Sequence, residues 1–332
     1  MFSIHIEDAN AFSNFLASCE LDYLDVYLHE DSATFIMNTS DLFSVIKIPC
    51  SHTPNEHSRG FRVSRNLLKQ QKRATTITFN FTDAGDISTS FMSGDELLCN
   101  ATFAYQKVYS SAYANKLELL RSAKKPSGIK LSELRTLIKL CNALGGVLNI
   151  ESGTAGAIFS NGIRMYKRVK YKDNLCILTK YAQLLNKCDD TIFSIEDYVG
   201  ASKNDFAILV NKLRVRDNSE FTMLEQARSQ YRANINLSNL VSFATSHPMK
   251  LQNFIINLDS KLCEVVEGDI SYKIPITITD ETRAPSNTFR ELVLPFSIVR
   301  NIILEMPSAN VLVEKKQFFM RMDVDNYTVL FN

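Results

Sequence analysis

Glycine is scarce in this chain, at 11 of 332 residues. That leaves little material for loops that wrap phosphates with backbone N–H groups. No G-x-x-x-x-G-K-[ST] occurs, and Gly145-Gly-Val-Leu-Asn-Ile-Glu-Ser-Gly153 lacks the lysine such a loop needs. G-x-G-x-x-G, H-E-x-x-H and G-x-S-x-G are missing too, which removes three common catalytic frameworks. No apolar run approaches the roughly 18 residues of a membrane-crossing helix, so no membrane partner is expected. The start, Met1-Phe-Ser-Ile-His-Ile-Glu-Asp8, lacks the basic-then-apolar layout of a secretion signal. Seven cysteines are an odd number and show no paired spacing. Cys19, Cys141 and Cys188 fall on apolar helix faces. The expectation is buried thiols in a reducing compartment, the cytoplasm.

Reactive constellations are equally thin. Cys50, His52 and His57 cluster within a short polar stretch. A tetrahedral zinc site needs a fourth ligand, and no second Cys/His pair stands at a suitable spacing. His5 and His29 fall within expected strands and read as structural, while His247 ends a helix, where a cation suits the dipole. The acidic pairs Asp189-Asp190, Asp280-Glu281 and Asp323/Asp325 fall at turns and read as solvated loops. The five His are too scattered for a triad. The expectation is a protein with no enzymatic activity, no metal and no cofactor.

Charge is present but unevenly spread. The whole chain has a net charge of +1, while residues 1–115 carry −5, residues 116–219 carry +8 and residues 220–332 carry −2. A neutral protein with a basic middle third can present a local anion-binding surface without coating nucleic acid by bulk charge.

The positive signal is repetition. Six times, a short amphipathic segment with an apolar stripe at helical spacing is followed by alternating apolar runs. The first unit runs from Phe2 to Cys50, with Phe12, Phe15, Leu16 and Cys19 on one helix face. Strands are expected at Tyr23–Leu28, Thr34–Met37 and Phe43–Ile48. The second has a helix over Ser64–Arg73 and strands Thr75–Phe81, Ile87–Met92 and Glu96–Tyr105. The third begins at Ile129, with the stripe Leu131, Leu134, Leu137, Ile138 and Cys141, then Gly146–Ile150, Ala157–Phe159 and Arg164–Tyr171. The fourth begins at Leu175, with Tyr181, Leu184, Leu185 and Cys188. The fifth begins at Ala233, with Leu237, Leu240, Val241 and Ala244. The sixth begins at Arg290, with Phe296, Val299, Ile302 and Ile303. Ser64, Ser132, Thr179, Ser238 and Ser297 stand near the helix starts, where a hydroxyl can accept an orphan backbone N–H. A unit of this size cannot close a core alone, so neighbours must pack together. Tyr109–Gly128 and Asp217–Tyr231 read as polar connectors and divide the chain into 1–112, 113–220 and 221–332, with two units in each piece.

This layout resembles a DNA polymerase sliding clamp, in the three-domain form of the bacterial subunit. The last unit carries the resemblance most clearly. Glu291-Leu-Val-Leu-Pro-Phe-Ser-Ile-Val-Arg-Asn-Ile-Ile-Leu304 is a strand running into a helix, followed by Ala309–Glu314, Gln317–Val324 and a closing strand Tyr327-Thr-Val-Leu-Phe331. The resemblance spans nearly the whole chain as architecture. The chain is shorter than the bacterial pattern, and its tail, Val329-Leu-Phe-Asn332, is not methionine-rich; a phage or plasmid version fits better than a chromosomal one. The resemblance implies an α+β DNA-clamp fold with helices lining a central hole and sheets outside. It also implies a homodimeric ring around double-stranded DNA, without sequence specificity, that tethers a DNA polymerase and meets a clamp loader through short peptides. Diffuse positive charge would face the phosphates, since tight base contacts would hinder sliding.

The cations expected to face DNA are Arg65, Lys69, Lys72 and Arg73 on the second helix, and Arg135 and Lys139 on the third. Lys180 and Lys187 lie on the fourth helix, Lys250 at the end of the fifth and Arg300 on the sixth. The first helix has no Lys or Arg. Exposed cations are also what any amphipathic helix carries. The run Arg164-Met-Tyr-Lys-Arg-Val-Lys-Tyr-Lys172 would place Arg164, Tyr166, Arg168, Lys170 and Lys172 on one side of a strand. It reads as a charged edge or inter-subunit contact, or as a stacking platform for single strands. For the partner-peptide pocket that the resemblance implies, the matching residues are Phe221, Met223, Leu224, Val329 and Leu330. The same residues could equally close the core of the last piece. A clamp-like tether for transcription or repair complexes, or a viral assembly protein of repeated α+β units, are the competing readings.

Overall fold

The computed structural model describes residues 1–52, 60–70, 73–82, 85–109, 113–122, 128–151, 153–159, 163–171, 173–189, 191–215, 226–246, 253–267, 269–284, 290–295, 304, 310–316, 319–324 and 326–331. The repeat is visible in the order of elements. The first module is β1 (Phe2–His5), α1 (Ala9–Ser18), β2 (Tyr23–Leu28), β3 (Ser32–Asn38) and β4 (Leu42–His52). The second is β5 (Gly60–Ser64), α2 (Arg65–Gln70), β6 (Thr76–Phe81), β7 (Asp86–Ser93) and β8 (Glu96–Ala104). After α3 (Ala114–Ser122), the third opens with a 3-10 turn (Leu131–Leu134) and continues with α4 (Arg135–Leu144), β9 (Gly146–Glu151), β10 (Thr154–Phe159) and β11 (Arg164–Arg168). The fourth is β12 (Leu175–Leu178), α5 (Thr179–Cys188), β13 (Phe193–Ile195), β14 (Tyr198–Lys203) and β15 (Phe206–Asn211). The fifth is β16 (Ser229–Asn236), α6 (Ser238–Ser246), β17 (Asn253–Asn257), β18 (Leu262–Glu267) and β19 (Ile270–Pro275), followed by β20 (Thr277–Arg283). The sixth has β21 (Glu291–Pro295), β22 (Asn310–Lys316), β23 (Met320–Val324) and β24 (Tyr327–Phe331). Its expected helix lies outside the described residues.

Within each pair of modules the opening strands are exchanged. β5 of the second module pairs with β2 of the first, Leu24 opposite Val63. β1 of the first pairs with β6 of the second, Ile4 opposite Ile77. β12 of the fourth pairs with β9 of the third, and Lys130 at the start of the third bridges Thr191 in the fourth. β21 pairs with β17, and β16 pairs with β22. The closing strands are then matched between pairs. β4 runs antiparallel to β15, Phe43 opposite Leu209. β11 runs antiparallel to β24, Tyr166 opposite Thr328. These two ladders decide which parts cohere. The chain divides into one compact unit of Met1–Ser132 with Tyr181–Lys212, and a second of Glu133–Lys180 with Leu213–Asn332. Each ladder lies inside one of these units, so this division does not follow the connectors.

The first unit is organised around phenylalanine. The Phe15 ring on α1 lies 6.1 Å from Phe206 on β15 and 6.5 Å from Phe35 on β3, and its side chain is fully buried. One residue thus ties a helix of the first module to the closing strand of the fourth. The other face of the same ladder, Phe43 and Val45 opposite Leu209 and Ala207, packs with Ile36, Tyr113 and Phe193. In the second unit the strands bury Leu148, Ile150, Val313, Met322 and Val329 together with the aromatics Tyr231 and Phe254. Phe15→Ala should cost about 3–5 kcal/mol, the usual range for removing a buried aromatic, measured as a shift of the urea midpoint at unchanged slope.

Carboxylate and amide oxygens cap two of the helix starts. Asp8 caps α1, its carboxylate accepting from Ala11 N–H at 2.8 Å, and Asn236 accepts from Ser238 N–H at 3.0 Å at the start of α6. The Thr179 hydroxyl donates to the Gly146 carbonyl at 3.1 Å and so ties α5 to β9. Carboxylate and amide oxygens reach the first turn as well as a hydroxyl does, so a serine nearby does not fix the cap. The Gly145-Gly146 pair has a local role. Gly145 ends α4 at a φ of 68°, and a Cβ on Gly146 would lie 2.6 Å from the Ile158 carbonyl oxygen, so only glycine lets β9 reach β10.

Two elements depart from the expected layout. The connector Tyr109–Gly128 contains α3, and the stretch after the fifth module contains β20, which extends the sheet beside β16. Neither carries a full amphipathic stripe, so neither stands out in the sequence. Cys19 and Cys188 are buried, as their helix stripes predict, whereas Cys50 and Cys99 are half-exposed, and the Cys141 side chain lies outside what is described. Burial pushes the thiols of Cys19, Cys188 and Cys263 up to about 12. Little thiolate therefore forms at neutral pH. At pH 8 an aromatic disulfide reagent should label the half-exposed Cys50 and Cys99 in the folded protein. Cys19, Cys176, Cys188 and Cys263 should react only after unfolding, as read by peptide mass mapping.

Candidate nucleic-acid and peptide interfaces

Helix periodicity separates packing from charge on α4. Leu137, Ile138 and Leu140 are buried, and the helix rests on β9 and β10. Arg135 and Lys139, one turn apart, are exposed. On α5, Tyr181, Ala182, Leu185 and Cys188 are buried, while Lys180 and Lys187 are exposed. Cations at such positions meet polyanions with little desolvation and diffuse directionality, the regime of backbone-only nucleic-acid contact. On α2 only Leu68 is buried, Lys69 is half-buried, and Arg73 is exposed beyond the helix end. The uncharged helices are α1 and α6, which expose serine, threonine and asparagine. Lys72, Lys250 and Arg300 lie outside the described residues.

Arg65 has a different setting from the other cations. It opens α2 with its side chain only 17% exposed, lies 3.5 Å from Asp22, and donates a hydrogen bond to the Cys19 carbonyl. Cys19 is the C-cap of α1. The guanidinium therefore sits where the α1 dipole places negative charge, and it binds the end of one module's helix to the start of the next.

The basic run Arg164–Lys172 is not a protective sheet edge. β11 ends at Arg168 and lies between β10 and β24, paired on both sides. Nor does Tyr166 offer a stacking face, since it is 6% exposed and packs with Phe319 and Leu330, with Ala227 against them. The sequence shows the charges of this strand but not its neighbours. Its partner β24 lies some 160 residues away in the chain, a pairing no local pattern can announce.

That ladder also places the two nominated tail residues. Val329 stands opposite Met165 with both fully buried, on the face that closes the core. Leu330 points to the other face and joins the cluster of Tyr166 and Phe319. Period-two alternation separates the pair, so the two tail residues belong to buried clusters on opposite faces of the sheet. Phe221, Met223 and Leu224 lie outside the described residues. Phe319 and Ala227 join the patch without any signal in the sequence, and Tyr166 is hidden there among charged neighbours. Among the described residues, no group of three His, Cys, Asp or Glu could hold a metal ion, and no helix is long and apolar enough to cross a membrane.

Solved structures share this arrangement from end to end. The beta subunit from the DNA polymerase of Streptococcus pyogenes matches with a TM-score of 0.70 at 10% identity, over 100% of this chain and 98% of its own. The DNA polymerase sliding clamp from Bacillus subtilis matches with a TM-score of 0.67 at 12% identity, over 99% of this chain and 97% of its own. This chain has the sliding-clamp fold. The DNA polymerase III subunit beta from Pseudomonas aeruginosa agrees, with a TM-score of 0.67 at 10% identity and coverage of 100% and 99%. No family model matches the sequence, and no curated protein does. A clamp fold tolerates such divergence because strand alternation and module pairing ask for residue classes rather than identities.

Substitutions should distinguish the exposed cations of α4 from Arg65. Arg135→Glu with Lys139→Glu should weaken duplex-DNA binding and flatten its log–log salt dependence by about 2, one unit for each phosphate no longer neutralised. Stability should stay within about 0.5 kcal/mol, as for exposed positions. Arg65→Ala should instead lower stability by about 1–3 kcal/mol, through the missing hydrogen bond at the end of α1.

Proposed function

We propose that the chain is a non-enzymatic processivity clamp of phage or plasmid type. Two copies close head to tail around duplex DNA and tether a DNA polymerase for replication in the cytoplasm. Each copy would contribute three domains, 1–112, 113–220 and 221–332, each built from one strand-exchanged pair of modules. The cations of α2, α4 and α5 would face the phosphates. Leu330 and its neighbours would form part of the pocket for polymerase or clamp-loader peptides.

The observation that carries this reading is the matching of closing strands. Of the six, β4 takes β15 and β11 takes β24, whereas among the described residues β8 pairs only with β7 and β19 only with β18. Both open strands have unfinished cores beside them. On β8 the half-exposed Cys99, Ala101 and Phe103 stand opposite the buried Phe91, Thr89 and Ile87. On β19 the half-exposed Tyr272 stands opposite the buried Val265, and Ile270 is 55% exposed. An exposed apolar edge is a template for another strand. Antiparallel addition of β19 from one copy to β8 of the next would repeat what β4–β15 and β11–β24 do within the chain. A heterologous contact of this kind closes into a ring when the rotation per subunit permits. A closed ring holds DNA by linkage, so it needs charge but no base contacts.

The assembled protein should have a mass near twice 37.6 kDa by light scattering. It should stay on nicked circular DNA and leave when the circle is linearised. Phe103→Asp on β8 should give a folded monomer that is lost from both DNA forms. Equal loss of the unaltered protein from circle and line would overturn topological holding, and a Phe103→Asp dimer would overturn the strand pairing.

A further inference from the structure

The internal repeat makes the β4–β15 and β11–β24 ladders counterparts. Each joins the closing strands of two modules, and each carries an apolar cluster on the face away from its buried core ladder. At β11–β24 that cluster is Tyr166, Phe319 and Leu330. At β4–β15 it is larger, with Phe43, Val45, Ala207 and Leu209 beside Ile36 and Phe193. There the chain lays α3 across it. Leu117 and Leu120, at i and i+3, pack on the cluster while remaining half-buried, and Tyr113 just before the helix is 4% exposed.

The attachment is polar at its rim and shallow at its centre. None of the residues of α3 itself is buried. Lys116 donates to the Asn38 side-chain oxygen at 2.8 Å and to the Thr39 carbonyl at 3.4 Å, with its ammonium 5.7 Å from the Phe43 ring and 5.6 Å from the Tyr198 ring. The Tyr113 hydroxyl donates to Asp25 at 2.8 Å and lies 2.7 Å from the Tyr27 hydroxyl, and Arg62 holds Asp25 from its other side at 2.8 Å. Beside the helix runs an open groove of about 360 Å³, with Leu117, Leu120 and Arg121 on one side and Ile36, Val45 and Ala207 on the other. The helix therefore covers only part of this apolar face. An anchor residue, two apolar contacts one turn apart and a polar rim are how an amphipathic segment sits in a groove.

We propose that the outer face of the β4–β15 ladder is a peptide-binding groove and that α3 is its built-in occupant. The segment Tyr113–Ser122 fills the groove in place of a partner's short amphipathic peptide, and releasing α3 exposes it. What the vacated groove receives rests on the tethering function proposed above; the occupancy of the groove by α3 does not, and it can be measured without DNA or ring closure.

The test uses the full chain carrying Tyr113→Ala, Leu117→Asp and Leu120→Asp, with a labelled, end-blocked peptide of sequence 113–122 as the probe. The peptide should bind this variant saturably at one per chain and bind the unaltered protein at least tenfold more weakly. Adding Ala207→Trp, which fills the groove, should abolish binding. If the triple variant fails to give a cooperative unfolding transition, Lys116→Ala alone, which keeps the apolar contacts, should admit the peptide with intermediate affinity. Equal affinity for altered and unaltered chains, no binding to either, or undiminished binding after adding Ala207→Trp would each overturn the proposal.

Discussion

Antiparallel pairing between closing strands is the constraint on which the rest depends. A single module has one helix and too little apolar surface to bury it. Exchange of the opening strands joins modules two by two, and the β4–β15 and β11–β24 ladders then join the pairs. Each ladder is covered on its core face by a buried apolar layer: Phe15 over Phe206 in the first unit, Met165 against Val329 in the second. Backbone pairing sets direction and register, and side-chain alternation sets which face is core. The other faces carry smaller buried clusters of their own, one packed against α3 and one around Leu330.

Charge follows from the same arrangement. Helices that pack by one stripe leave the opposite stripe to solvent, and on α4 and α5 that stripe carries Arg135, Lys139, Lys180 and Lys187. Arg65 shows how residue type alone misleads. It opens a helix, as a DNA-facing cation might, yet its guanidinium closes the end of α1. Position relative to a neighbouring carbonyl, which depends on how α1 meets α2, decides its role. The neutral surfaces of α1 and α6 show that the modules share a fold without sharing a charge pattern.

Much of the architecture was legible in the sequence because it is local. The stripe Phe12, Phe15, Leu16 and the alternation of β2 to β4 each lie within a few turns of chain, and turns such as Ser93-Gly-Asp95 mark where strands end. The pairing of β11 with β24 was not legible, because nothing near Arg164 announces a partner at Leu330. That is why a buried, doubly paired strand read as a charged edge. α3 was missed because its leucines do not form a full stripe, and because Lys116 and Tyr113 attach it through polar groups that resemble a loop. Of the candidate site, the exposed cations of α4 and α5 follow from periodicity, whereas the separation of Val329 from Leu330 required the register.

The exchanged opening strands bear on synthesis. β1 has no mate for one edge until β6 has left the ribosome, some 70 residues later, and these β-layers therefore mature in pairs of modules rather than singly. β11 waits longer, since its second neighbour, β24, follows some 160 residues later. Contacts so distant in sequence close slowly and leave apolar edges uncovered meanwhile. A nascent chain truncated just before β24 would retain most of its composition and several finished sheets, yet it would expose one side of β11 to any strand in the cell.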